Sequence, residues 1–136
     1  MAELATTYHQ QGRYGDAEKI YTAVLALRRD VLGDKHPDTL RSMTDLVTTY
    51  LQQGRYGEAE KIDTEVLALR RDVLGNKHPD TLRAMHDLAI TYSSRGRRDD
   101  AVALMDGCLQ LRHRILGPNH PFTYQSDQIL SSWKAE

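Results

Sequence analysis

The chain has a single cysteine, Cys108, so no internal disulfide can form and a reducing, cytoplasmic setting is the expectation. Excess charge of one sign is also missing. With 18 Lys and Arg against 19 Asp and Glu the formal charge is −1, whereas a dedicated nucleic-acid binder carries a strong basic excess. Long apolar runs are lacking too. The longest, such as Ala23-Val24-Leu25-Ala26-Leu27, are far too short to span a bilayer, and no charged-then-apolar leader opens the chain. Neither a nucleic acid nor a membrane is therefore expected as a partner. The composition shows no bias toward disorder, and 136 residues suffice for one domain with a core of its own.

What the chain does have is repetition. Leu32-Gly33-Asp34-Lys35-His36-Pro37-Asp38-Thr39-Leu40-Arg41 returns as Leu74-Gly75-Asn76-Lys77-His78-Pro79-Asp80-Thr81-Leu82-Arg83, and in looser form from Leu116 to Gln125. The copies lie 42 residues apart, and residues 1–42 and 43–84 differ at only nine positions. A fixed period of this size signals an array of stacked units. One array over 1–136 is expected, with units at about 1–35, 36–77 and 78–119 and a half unit at 120–136.

Each unit reads as two helices. Leu40, Met43, Leu46, Val47 and Tyr50 fall on one face of a 3.6-residue period. After the turn at Gly54-Arg55-Tyr56-Gly57, a second apolar stripe runs from Ala59 through Ile62, Val66, Leu67, Leu69 and Val73 to Leu74. Glu58 and Glu60 open that helix and Arg70-Arg71 approach its end, as the helix dipole favours. The spacing predicts helices at 2–11, 16–32, 38–53, 57–74, 80–95, 99–116 and 121–134. Proline at the first helical position leaves His36, His78 and His120 as N-caps, where Ser, Thr, Asp or Asn are usual. A neutral imidazole nitrogen accepting a backbone N–H would fill that role. The first helix lacks the Leu-Gly-x-x-His-Pro lead-in, so the chain reads as an excerpt of a longer array.

The skeleton Leu46, Tyr50, Gly54, Arg55, Tyr56, Ala59, Glu60, Leu67, Arg70, Leu74, Gly75, His78 and Pro79, with its copies 42 residues to either side, resembles the tetratricopeptide repeat. It is most similar to the 42-residue variety of kinesin light chains, nephrocystin-like proteins and the sensor arms of fungal NOD-like signalling ATPases. The resemblance implies an all-α fold, a right-handed superhelical solenoid of antiparallel helix pairs. First helices would line a concave groove that binds an extended peptide or a partner's helix. Kinesin light chains have two asparagines just before the conserved leucine. Thr44-Asp45 and His86-Asp87 stand there in this chain, so no cargo-peptide preference is taken from the light chains.

On those faces the groove would be lined by Thr6, His9 and Gln10 in the first unit. The second would contribute Arg41, Thr44, Asp45, Thr48, Leu51 and Gln52, and the third Arg83, His86, Asp87, Ile90, Ser93 and Ser94. Differences such as His9 against Leu51, Thr44 against His86 and Thr48 against Ile90 fit either a recognition face or free drift of exposed positions. The histidines of successive loops would lie about 10 Å apart, a helix-packing distance. Zinc ligands converge to about 2 Å of one point, so capping is favoured over metal binding. The arginine clusters Arg28-Arg29, Arg70-Arg71 and Arg95-Gly96-Arg97-Arg98 read as solvated helix ends offset by nearby aspartates rather than as a phosphate stripe. Tyr8, Tyr50, Tyr92, Tyr14 and Tyr56 read as packing residues between paired helices. Asp63, opposite Tyr21 and Met105 in the other units, must reach solvent or a cation. No nucleophile–base set and no glycine-rich phosphate loop is present, which points away from an enzyme and from any cofactor. Two functions remain. One is a module that binds a protein or peptide. The other is an array element that self-associates head-to-tail, because a repeat buries its apolar face only against a neighbour.

Overall fold

The computed structural model describes residues 14–135. Six helices follow one another: α1 (Tyr14–Leu32), α2 (Pro37–Gln52), α3 (Tyr56–Leu74), α4 (Pro79–Ser94), α5 (Arg98–Leu116) and α6 (Pro121–Ala135), with no strand among the described residues. Helix bounds fall within two residues of those expected from the spacing. At Pro37 and Pro79 the shift arises because the prolines are themselves the first helical residues. The helix expected at 2–11 lies outside the described residues. Two compact units divide the chain, Met1–Val66 and Leu67–Glu136, with the border inside α3.

In the first unit α1 packs against α2. Ala17, Tyr21 and Leu25, one turn apart on α1, are buried, as are Leu40, Met43, Leu46 and Val47 of α2. In the second unit α5 packs against both α4 and α6. Its core comes from Leu82, Met85, Leu88 and Ala89 of α4, Ala101, Met105 and Cys108 of α5 and Leu130 of α6. Cys108 is a core residue, as expected. Its thiol donates to the Leu82 carbonyl at 3.3 Å, and burial pushes its pKa up. Glycine at 107 is not demanded by space, since a Cβ there would meet only the Met85 methyl at 3.7 Å, an ordinary contact. Gly107→Ala should therefore stabilise the second unit by about 1 kcal/mol, the helix-interior cost of glycine, measured by urea denaturation.

The turn inside the second and third repeats is built from the Tyr-x-x-x-Gly-Arg segment. After α2, the Arg55 N–H reaches the Tyr50 carbonyl at 2.8 Å and the Gly54 N–H reaches Leu51 at 3.1 Å. This is the Schellman pattern, which needs the left-handed backbone that Gly54 adopts at φ 75°. The Arg55 carbonyl then accepts the Ala59 N–H at 3.2 Å, so one residue closes a helix and opens the next. Its guanidinium lies 4.5 Å from the Tyr50 ring centroid and pairs with Glu18 at 2.6 Å and with Glu58. Arg97 repeats the arrangement over Tyr92, also at 4.5 Å. Tyr50 and Tyr92 are half-buried beneath these guanidiniums, whereas Tyr56 is exposed on α3.

The turn between repeats carries the histidine cap. Nδ1 of His36 accepts the Asp38 N–H at 3.1 Å, that of His78 the Asp80 N–H at 3.0 Å, and that of His120 the Phe122 N–H at 3.1 Å. An imidazole therefore does what a serine or aspartate oxygen usually does. His78→Ser should be tolerated, while His78→Ala should cost about 1 kcal/mol, the usual worth of a cap, in thermal denaturation.

Candidate functional site

On α2, Arg41, Thr44, Asp45, Thr48, Leu51 and Gln52 are all exposed or half-exposed. Their spacing of three and four residues places them in one stripe, opposite the buried Leu40, Met43 and Val47. The stripe's threonine hydroxyls are spent on the helix itself. Thr44 donates to the Arg41 carbonyl at 2.8 Å and Thr48 to the Thr44 carbonyl at 3.2 Å. The donors that remain for a ligand are the Arg41 guanidinium and the Gln52 amide, beside the apolar Leu51 and the threonine oxygens as acceptors.

On α4, Arg83 and Ser94 are exposed and Asp87, Ile90 and Ser93 half-exposed. Arg83 and Asp87 pair across one helical turn at 3.3 Å. Burial pushes the Asp87 carboxyl pKa up, against the opposing pull of Arg83. His86 departs from the expectation. It is only 4% exposed, and its Nδ1 lies 3.4 Å from the Arg112 guanidinium of α5. A ring turned toward the second helix is not offered as part of an exposed stripe. Desolvation, then Arg112 and Arg83, lower its pKa to about 4, so it is neutral at pH 7. Thr6, His9 and Gln10 lie outside the described residues.

The arginine of the recurring Leu-x-x-Arg segment is a clamp, which the reading of these clusters as solvated ends missed. In the first unit Arg28 donates to the Asp38 carbonyl at 3.1 Å and to the Ser42 hydroxyl at 2.7 Å. In the second, Arg112 donates to the Phe122 carbonyl at 3.3 Å and the Ser126 hydroxyl at 2.8 Å. Each ties a second helix to the start of the next repeat's first helix. Arg70 has Ala84 where a serine stands in the other copies, and pairs instead with the Asp80 carboxylate at 3.5 Å. The signal in the sequence was the 42-residue recurrence of the arginine at 28, 70 and 112, with a serine fourteen residues on in the first and last of these copies. Asp63, the position hardest to place from sequence, is buried at 3% exposure.

A cleft of about 630 Å³ opens between α5 and α6, lined by Leu109, Gln110, His113, Arg114, Pro118, Thr123, Tyr124 and Asp127. Tyr124 is 60% exposed, whereas Leu82, one period earlier, is 1% exposed beneath α5. Among the described residues no group of three His, Cys, Asp or Glu side chains could hold a metal ion. No described helix is long and apolar enough to cross a membrane.

Paired helices repeated at a fixed period, with polar stripes on the first helices, define a helical-repeat scaffold. The family model for the tetratricopeptide repeat matches residues 1–72 and 46–106, and the chain belongs to that family. Its fold is the all-α solenoid of helix pairs found in kinesin light chain-like repeats. The crystal structure of the nearly identical TPR-like repeats of a putative kinesin light chain from Podospora anserina superposes with TM-score 0.87 at 29% identity over 97% of this chain and 63% of that one. A single-substitution variant of the same protein gives TM-score 0.87 and 29% identity, over 97% of this chain and 62% of the other. BtubC (BKLC) from P. vanneervenii has the same fold at TM-score 0.86 and 19% identity, covering 97% of this chain and 53% of that one. The chain thus spans less than two thirds of the length of these structures. No curated protein sequence matches it. Tetratricopeptide repeats are in general protein–protein interaction modules.

Proposed function

We propose that this chain binds an extended peptide or a partner helix through the exposed faces of its first helices, with no catalytic step and no cofactor. The observation that supports this reading is the stripe on α2, where Arg41, Thr44, Asp45, Thr48, Leu51 and Gln52 are all accessible on one face. On α4 the corresponding contacts are Arg83, Asp87, Ile90, Ser93 and Ser94. An apolar Leu51 beside a cation and an amide is a mixed surface of the kind interfaces use, an apolar centre within a polar rim. The test is photo-crosslinking in lysate from Thr48 and Gln52, with the exposed Lys61 of α3 as control. A discrete partner captured from α2, and lost in Arg41→Asp/Leu51→Asp, supports the reading. Equal capture by the double variant overturns it.

Head-to-tail self-association is the second reading, and the α5–α6 cleft with its exposed Tyr124 is the feature that favours it. Molar mass by light scattering over a range of concentrations decides it. A strict monomer at high concentration removes this reading and leaves the first intact.

A further inference from the structure

The buried contact between His86 and Arg112 has no role in the binding reading, and it sits where three helices meet. Arg112 is 2% exposed and His86 4% exposed. Guanidinium nitrogens only donate, so the imidazole Nδ1 at 3.4 Å must be the acceptor, with the ring's proton on Nε2. The same guanidinium nitrogen holds α6 through the Phe122 carbonyl and the Ser126 hydroxyl. His86 on α4, Arg112 on α5 and the start of α6 therefore share one hydrogen-bond junction. A proton added at Nδ1 turns the acceptor into a donor and sets two buried cations face to face.

We propose that His86 is an acid-sensitive latch on α6: when its Nδ1 takes up a proton, Arg112 is driven off the Phe122 carbonyl and the Ser126 hydroxyl, and α6 separates from α5. The surrounding charges do not rescue the protonated ring. On α4, Arg83 adds to the repulsion, and Asp87 is committed to Arg83 at 3.3 Å. On α5, the Cys108 thiol near Arg112 is kept protonated by burial. On α3, Arg70 acts on Asp87. On α6, the junction is met by the Ser126 hydroxyl and the Phe122 carbonyl, neither of which titrates. At the same position the unit before has Thr44 and the one after has Gln128, so the titratable group belongs to this unit in particular.

The experiment is hydrogen exchange on the full chain between pH 6.5 and 4.5, corrected for the intrinsic pH dependence of exchange. Protection of the α6 amides should fall with decreasing pH by no more than tenfold per unit, the ceiling for uptake of one proton. Emission from Trp133, the sole tryptophan and a residue of α6, should shift to the red in parallel. His86→Gln keeps an acceptor without a titrating proton, and His86→Thr installs the residue of the preceding copy. In either variant the acid-induced loss should disappear. His120→Asn removes the only imidazole that caps α6 among the described residues, and the loss should persist there. Level α6 protection in the wild type overturns the proposal, as does a full loss in the His86 variants or its abolition by His120→Asn.

Discussion

Met105→Ala should lower the stability of the second unit by about 3 kcal/mol, in the middle of the range for deleting a fully buried methionine. Met105 is 0% exposed on α5. Truncation loses both the transfer free energy of the removed atoms and the contacts of the cavity walls, which relax only in part. Gly107→Ala, two residues along the same helix, should act in the opposite direction and by less, so the pair separates packing from backbone entropy within one element. Urea denaturation followed by helical circular dichroism reads both. A loss below about 1 kcal/mol for Met105→Ala would mean that neighbouring side chains collapse into the space, as happens where a core is loosely packed. The choice of Met105 is informative because the same repeat position holds Tyr21 and Asp63, buried at 7% and 3% exposure. One buried site thus accommodates three chemistries, and only in this copy is it filled by a flexible apolar side chain.

The repeat period made the helices legible before any coordinates, because a copied segment repeats its apolar stripe, its turn glycine and its proline together. The histidine caps were legible for the same reason: proline at the first helical position fixes which residue precedes the helix, and imidazole is the only side chain there. The junction residues were harder. Arg28 and Arg112 look like the charged ends of amphipathic helices. Their clamp contacts follow from where the next repeat's serine lies, which is a tertiary fact. His86 was misplaced by the same limit. Counting from Arg83 puts it on the same flank as Asp87, yet the ring turns inward because a buried guanidinium on α5 offers it a donor. The stripe on α2 stays exposed or half-exposed along its length. What a helical wheel lacks is the neighbour, and a polar side chain's side of the helix is decided by the neighbour.

Acid should destabilise the second unit through His86, and the sign follows from linkage. Its folded pKa of about 4 lies below the ordinary 6.5, so between these values the unfolded chain binds the proton and the folded one does not. Stability is therefore fully present above pH 6.5, falls as pH decreases toward 4, and levels off below that. The difference of 6.5 − 4 = 2.5 pH units corresponds to about 3 kcal/mol. Asp87 works against this. Its folded pKa is raised by burial above the ordinary carboxylate value, so the folded state gains protons there and recovers some stability as pH falls toward that value. Comparing the wild type with His86→Gln at each pH isolates the histidine. The wild type should lose up to about 3 kcal/mol more than the variant between pH 6.5 and 4 in urea denaturation. Arg112→Met should recover only part of that difference, because desolvation, the larger cause of the shift, stays when the guanidinium is gone. Complete recovery in Arg112→Met would assign the whole effect to charge repulsion and contradict the burial of the ring.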